Sequence, residues 1–136
     1  MKKASAIVGH MMDHDAFSQW LGIHVVAVEA GRAVLQMTVR EEMTNGFGIA
    51  HGGITYSLAD SALAFASNGG GTQSLSVETA IHHLEAVRTG DLLQAEAIQL
   101  NETRKTGLYE VNITVNNVRV AWFKGTVYRT SKEWNL

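Results

Sequence analysis

An α+β fold, a six-stranded antiparallel sheet wrapped around one long central helix, is what three features of this sequence predict. Residues 51–68, HGGITYSLADSALAFASN, form a proline-free stretch of small and apolar residues that opens on Gly52-Gly53 and is followed by Gly69-Gly70-Gly71. Runs rich in β-branched residues lie on both sides of it, two before and four after. Turn signals separate those runs, and no other segment has enough apolar face to fill the concave side of the sheet they would form.

Taken in order, residues 1–21 are expected to form a short N-terminal helical segment. Asp13 or Asp15 stands near a helix start, Phe17, Trp20 and Leu21 lie on one side, and Gly22 is the stop. Residues 23–28 and 32–40 read as a hairpin joined by Ala30-Gly31, with Ala33, Leu35, Met37 and Val39 alternating along its second arm. Residues 41–50 lack a period and read as a loop. In the long helix Ile54, Leu58, Ala62 and Phe65 recur at spacings of three and four, while Thr55, Ala59, Ser61 and Ala64 keep the other faces slim. The three glycines after it supply the conformational freedom that stops helices. Strands are expected over 72–87, 92–102, 108–116 and 118–129, with a turn at Thr89-Gly90-Asp91 and a tight hairpin at Asn116-Asn117. The tail, residues 131–136, has no strong preference.

The 136 residues suit one domain, with no linker, repeat or low-complexity segment. Charged residues make up 18% and hydrophobic ones 46%, so some apolar surface is expected to be covered by association. A net charge of −2 argues against nucleic acid as a partner. Without cysteine there is no disulfide framework, thiol nucleophile or cysteine zinc site. The N-terminal apolar run is too short for a secretory signal, and no run approaches the roughly 18 residues of a membrane span. A cytoplasmic protein without a membrane partner is the expectation.

Two anomalies carry the chemistry. From Met43 to Val77 the one formally charged side chain is Asp60, and a carboxylate on so apolar a helix is costly unless hydrogen-bonded, paired or used. It is either a general base or nucleophile, or a structural group satisfied by Ser57, Ser61 or a partner hydroxyl. The second anomaly is the helix start, where glycines leave backbone N–H groups open and the helix dipole favours developing negative charge. Gly52 and Asp60 are eight residues apart, about 12 Å along the axis at 1.5 Å per residue. If both serve one reaction, they come from two copies of the helix, antiparallel across a two-fold axis. The chemistry therefore predicts a homodimer with shared sites.

With Asn45-Gly46 upstream, HGG at 51–53 and SLAD at 57–60, residues 17–129 resemble the hotdog-fold acyl-CoA thioesterases. The likeness is to their phenylacetate-degradation branch, which is related to the hydroxybenzoyl-CoA enzymes. The resemblance implies hydrolysis of an acyl-CoA to free acid and coenzyme A, first of all for aryl or arylacetyl groups, by a dimer-of-dimers tetramer without bound cofactor or metal. Asp60 would be the base or nucleophile and Gly52, beside Gly53, the donor to the thioester oxygen. His51 would orient the substrate or cap the helix, and Asn45 would orient water or merely build its Asn-Gly turn. Phe47 and Tyr56, with Trp122 and Phe123, are candidates for the acyl pocket, and one of His82 and His83 is expected to face it. Relatives often carry a basic residue and proline where this chain has Leu84-Glu85-Ala86, so the coenzyme A phosphates are assigned to Arg88, Arg104, Lys105 or Lys124. A noncatalytic acyl-CoA-binding protein and a hotdog dehydratase or hydratase are the alternatives. His10 and His14 have helical metal-ligand spacing but no evident third ligand.

Overall fold

The computed structural model describes residues 2–136. Helices α1 (Lys2–Asp13) and α2 (Ala16–Leu21) lead into strands β1 (His24–Glu29) and β2 (Arg32–Thr38). A 3-10 turn at Glu41–Met43 precedes α3 (Gly52–Asn68), and β3 (Thr72–His83), β4 (Leu92–Glu102), β5 (Thr106–Val115) and β6 (Val118–Glu133) follow. The six strands form one antiparallel sheet in the order β1-β2-β4-β5-β6-β3, with α3 packed against it.

The expected helix is present, with His51 as its N-cap. Ile54, Leu58, Ala62 and Phe65 are all buried, and so are Thr55, Ala59 and Leu63 on flanking faces. Close approach to the sheet depends on Gly125 of β6, since a Cβ there would lie 2.6 Å from Leu63 Cδ2. Of the three glycines after the helix, Gly69 remains helical at φ −61°, and Gly71 alone turns left-handed at φ 112°. Asn116 and Asn117 take positive φ, as the hairpin between β5 and β6 requires.

Two expectations need correction, and a third is refined. The strand read over 72–87 ends at His83. Beyond it the chain leaves the ladder, because the amides of Leu84 and Glu85 both donate to Val120 O, and Val87 O turns to accept from Ala50 N. The N-terminal segment is helical as expected, divided into two helices, and of the two candidate aspartates it is Asp15 that stands at a helix start, with Gly22 as the stop. Phe17 and Trp20 do not pack with Leu21. A six-residue helix directs Ser18 and Leu21, one turn apart, into the protein and leaves Phe17 and Trp20 about half exposed. Their rings stack at 6.1 Å, and Arg40 lies over Trp20.

The C-terminal end of α3 is secured by the buried Asn68. Its Nδ2 donates to Ala64 O and Ser74 O, and its Oδ1 accepts from Ser74 N and from Trp134 Nε1. This brings in the tail, whose Trp134 amide also donates to Gly71 O. Replacing Asn68 with Leu would leave these groups unpaired. We expect Asn68→Leu to lose about 3 kcal/mol of stability, read as a lower urea midpoint at fixed protein concentration. An unchanged midpoint would show that the tail is not held here.

Candidate active site

His51 has the extended ψ of 138° that an N-cap requires, and its side chain closes the first turn of α3 on itself, with Nδ1 accepting from Gly53 N at 2.9 Å. A neutral imidazole whose Nδ1 accepts carries its proton on Nε2. The loop before it is pinned by His51 N donating to Met43 O at 2.8 Å and Ala50 N to Val87 O at 2.7 Å. Ile54 N donates back to His51 O. Among the described residues the Gly52 amide finds no acceptor, so it remains an open donor at the positive end of the helix. A Cβ at Gly52 would come 3.1 Å from His83 Nε2, so glycine is what lets that ring sit against the helix start.

A cavity of about 210 Å³ opens there, lined by Asn45, Gly52, His83 and Glu85 among others. A second, of about 340 Å³, lies on the other side of the same turn, between His51, Gly53 and Ser57 and the Phe17–Trp20 pair. Asn45 thus faces the Gly52 cavity while its Oδ1 accepts from Phe47 N at 2.9 Å, building the turn its sequence suggested.

Asp60 opens into a third cavity, of about 390 Å³, whose surface is mainly apolar, with Met11, Leu63, Val127 and Trp134 in its walls beside polar Gln73, Ser76 and Thr130. Burial first, and the charge of Asp15 second, push its carboxyl above the usual carboxylate range. The serines that would have satisfied it are engaged elsewhere. Ser57 Oγ donates to Gly53 O at 2.6 Å, and Ser61 Oγ is bonded to Ser18 Oγ at 2.8 Å. Within one chain the open amide and the unsatisfied carboxylate therefore face different cavities.

The other candidates divide by position. Gly53 and His83 stand at the helix start, and Arg88 lies one residue beyond Val87, which lines the Gly52 cavity. His82 points to the opposite side of β3 and lies by Trp122, as strand alternation dictates. Phe47 is 89% exposed on its loop. Tyr56 turns to the sheet, sharing a 2.6 Å hydrogen bond with Thr79 and meeting the core ring of Phe123 edge-on. Arg104 and Lys105 occupy the β4–β5 turn. Lys105 lies beside Thr106, which pairs with Tyr128, whereas His83 pairs with Ala121 seven residues earlier on β6. At about 3.3 Å per residue that is roughly 23 Å from the Gly52 end. Lys124 is within 3.9 Å of Glu78. His14 Nδ1 contacts His10 O, and among the described residues no group of three potential metal ligands forms.

Two features were not anticipated. Ser76 of β3 lines the Asp60 cavity, and nothing local marks one hydroxyl of a strand as adjacent to a residue sixteen positions earlier. Trp134 reaches the same cavity from the C-terminal tail.

Because the folded chain holds the Asp60 proton more tightly than the unfolded one, stability falls as pH rises from about 3.9, the unfolded value, through the raised folded value. The penalty is complete above that window and absent below it. Asp60→Asn should therefore melt at a higher temperature than the wild type at pH 7, with the gap narrowing toward pH 4. Equal melting temperatures at pH 7 would mean that the carboxylate is not strained.

The family model described as the thioesterase superfamily matches residues 47–121. The chain is 36% identical over 120 residues to the acyl-coenzyme A thioesterase PaaI of Escherichia coli K12, covering 88% of this chain and 86% of that one. It is 31% identical over 100 residues to the 1,4-dihydroxy-2-naphthoyl-CoA hydrolase of Listeria monocytogenes, covering 69% and 78%. The structure of the E. coli PaaI protein, from the phenylacetic acid degradation operon, superposes with a TM-score of 0.94 at 34% identity, over 97% of this chain and 96% of that one. The chain belongs to the thioesterase superfamily and carries its α+β hotdog fold.

Proposed function

We propose that this acyl-CoA thioesterase hydrolyses aryl or arylacetyl thioesters in sites shared between two copies of the chain. One observation carries the reading. The open Gly52 amide and the unsatisfied Asp60 carboxylate lie about 12 Å apart along one helix and face separate cavities, so a single carbonyl reaches both only if a second α3 runs antiparallel beside the first.

In such a dimer the thioester oxygen lies against the Gly52 N–H of one protomer. That donor strengthens as the carbonyl becomes an oxyanion, an interaction whose loss elsewhere costs on the order of 3 kcal/mol. The partner's α3 supplies Asp60, which either attacks the carbonyl carbon, expelling the coenzyme A thiolate and leaving an anhydride that water then cleaves to the free acid and the regenerated carboxylate, or takes a proton from a water that attacks the carbonyl as the thiolate leaves. Its raised proton affinity makes Asp60 a better base than an exposed carboxylate while leaving it ionised at higher pH. His51 holds the donor turn rigid, and its Nε2–H is a second donor on that side. Ser76, in the Asp60 cavity, is placed to orient water.

The edge strand β3 supports the assembly. It exposes Leu75 and Val77 at 68% and 64% and carries an unpaired ladder edge, a surface that pairing with a second copy would cover. A tetramer of two such dimers is the expected complete state. The aryl preference draws on the aromatic acyl group in the name of the Listeria relative, on the operon of the E. coli protein, and on the apolar Asp60 cavity with Trp134 in its wall. Arg88 is the favoured phosphate anchor at the Gly52 end. No metal or bound redox cofactor is assigned a part, coenzyme A belonging to the substrate. Neither nucleic acid nor a membrane is proposed as a partner, and the cytoplasm is the proposed location; among the described residues no helix is long and apolar enough to cross a membrane.

The test is free-thiol release from phenylacetyl-CoA, a hydroxybenzoyl-CoA and a medium-chain acyl-CoA. Asp60→Asn and Gly52→Val should each lose most turnover while remaining dimeric. Mixing the two inactive variants by co-refolding should then restore about one quarter of wild-type activity, since half of the dimers are mixed and each has one intact site. Failure of the mixture to recover would place both groups in one subunit's site and overturn the shared arrangement. A higher kcat/KM for the medium-chain substrate would overturn the aryl preference alone.

A further inference from the structure

Asp15, Ser18 and Ser61 form a hydrogen-bonded chain that the reaction above does not use and that ends beside Asp60. Asp15 caps α2 with Oδ1, which accepts from Ser18 N at 2.9 Å, while its Oδ2 lies 2.6 Å from Ser18 Oγ. Ser18 is only 1% exposed, and its Oγ also lies 2.8 Å from Ser61 Oγ on α3.

Chemistry fixes the direction of the protons. An ionised carboxylate only accepts, so the single O–H of Ser18 goes to Asp15, and Ser61 must donate to Ser18. Ser57, one turn before Asp60, donates to Gly53 O. Both α3 hydroxyls flanking the carboxylate are thereby turned away from it.

We infer that Asp15 is a positioning residue for thioester hydrolysis, acting through Ser18 to keep the Ser61 donor off Asp60 while setting a negative charge near it. This rests on the thioesterase reading for its consequence, though not for its geometry. A missing donor and a nearby like charge act in the same direction, each making the carboxylate hold its proton more tightly. Asp15 is the charged group that acts on Asp60 after burial itself. The walls that α1, β3, β6 and the tail contribute to the Asp60 cavity contain no titratable side chain, so nothing on those elements offsets it.

Asp15→Asn separates charge from fold, because the amide oxygen can still cap Ser18 N. In the assembled protein, a carbon-13 titration of the Asp60 carboxyl should show a lower midpoint in Asp15→Asn than in wild type. The acidic limb of kcat/KM should move to lower pH with it. Ser18→Ala, which frees Ser61 but keeps the charge, should shift both in the same direction and by less. An Asp60 midpoint that stays put or rises in Asp15→Asn overturns the inference, and a null result confined to Ser18→Ala overturns the hydroxyl relay. Should wild type release no thiol from any acyl-CoA while the midpoint still shifts, the functional reading fails and the coupling of Asp15 to Asp60 stands.

Discussion

Burial of α3 on nearly every side is the constraint on which the rest of this structure depends. A helix so enclosed must be slim, which is why Ala59, Ala62 and Ala66 accompany Leu58 and Phe65, and why β6 carries Gly125 where Leu63 presses against it. Its C-terminal end cannot rely on water, so Asn68 satisfies four neighbouring groups at once. The N-terminal end is treated differently. His51 closes the Gly53 amide and leaves the Gly52 amide before it open, an arrangement that is useful only if something negative comes to meet it.

The same enclosure explains why a carboxylate on this helix has chemical potential that a surface aspartate lacks. Low polarity around Asp60 penalises its charge, and the nearby hydroxyls of α3 are committed to other acceptors. A carboxylate whose charge is penalised takes up a proton, or attacks a carbon, more readily once substrate arrives. Stability is surrendered locally for reactivity, and the well-packed remainder of the helix offsets that loss.

Much of this was legible in the residues. The central helix announced itself through flanking glycines and a long silence of charge, which also isolated Asp60. β2 and β4 showed the inside-outside alternation of half-buried strands, and their limits fell close to expectation. β3 was harder, because an edge strand exposed along most of its length has no clear alternation, and apolar Leu84, Ala86 and Val87 continue its composition after its pairing has ended. Phe17 and Trp20 misled for a related reason, since aromatic character favours burial whereas a six-residue helix has only one inward face. The Ser18–Ser61 bond spans 43 positions and the Trp134–Asn68 bond spans 66. Contacts of that separation arise from the tertiary fold and leave no local pattern.

The position of β6 has a consequence for how the chain reaches this state. β6, made after the other five strands, lies between β5 and β3, so among the described residues it is the sole ladder partner that this chain offers the strand following the central helix. While the chain is being synthesised, α3 and β3 emerge long before the segment that anchors them. The pairing of β3 awaits β6, and these pairings close loops of considerable length, which slows folding. Folding is thus expected to be a late and concerted event, and truncation at the start of β6 would remove the ladder partner of β3 instead of trimming the sheet at its margin.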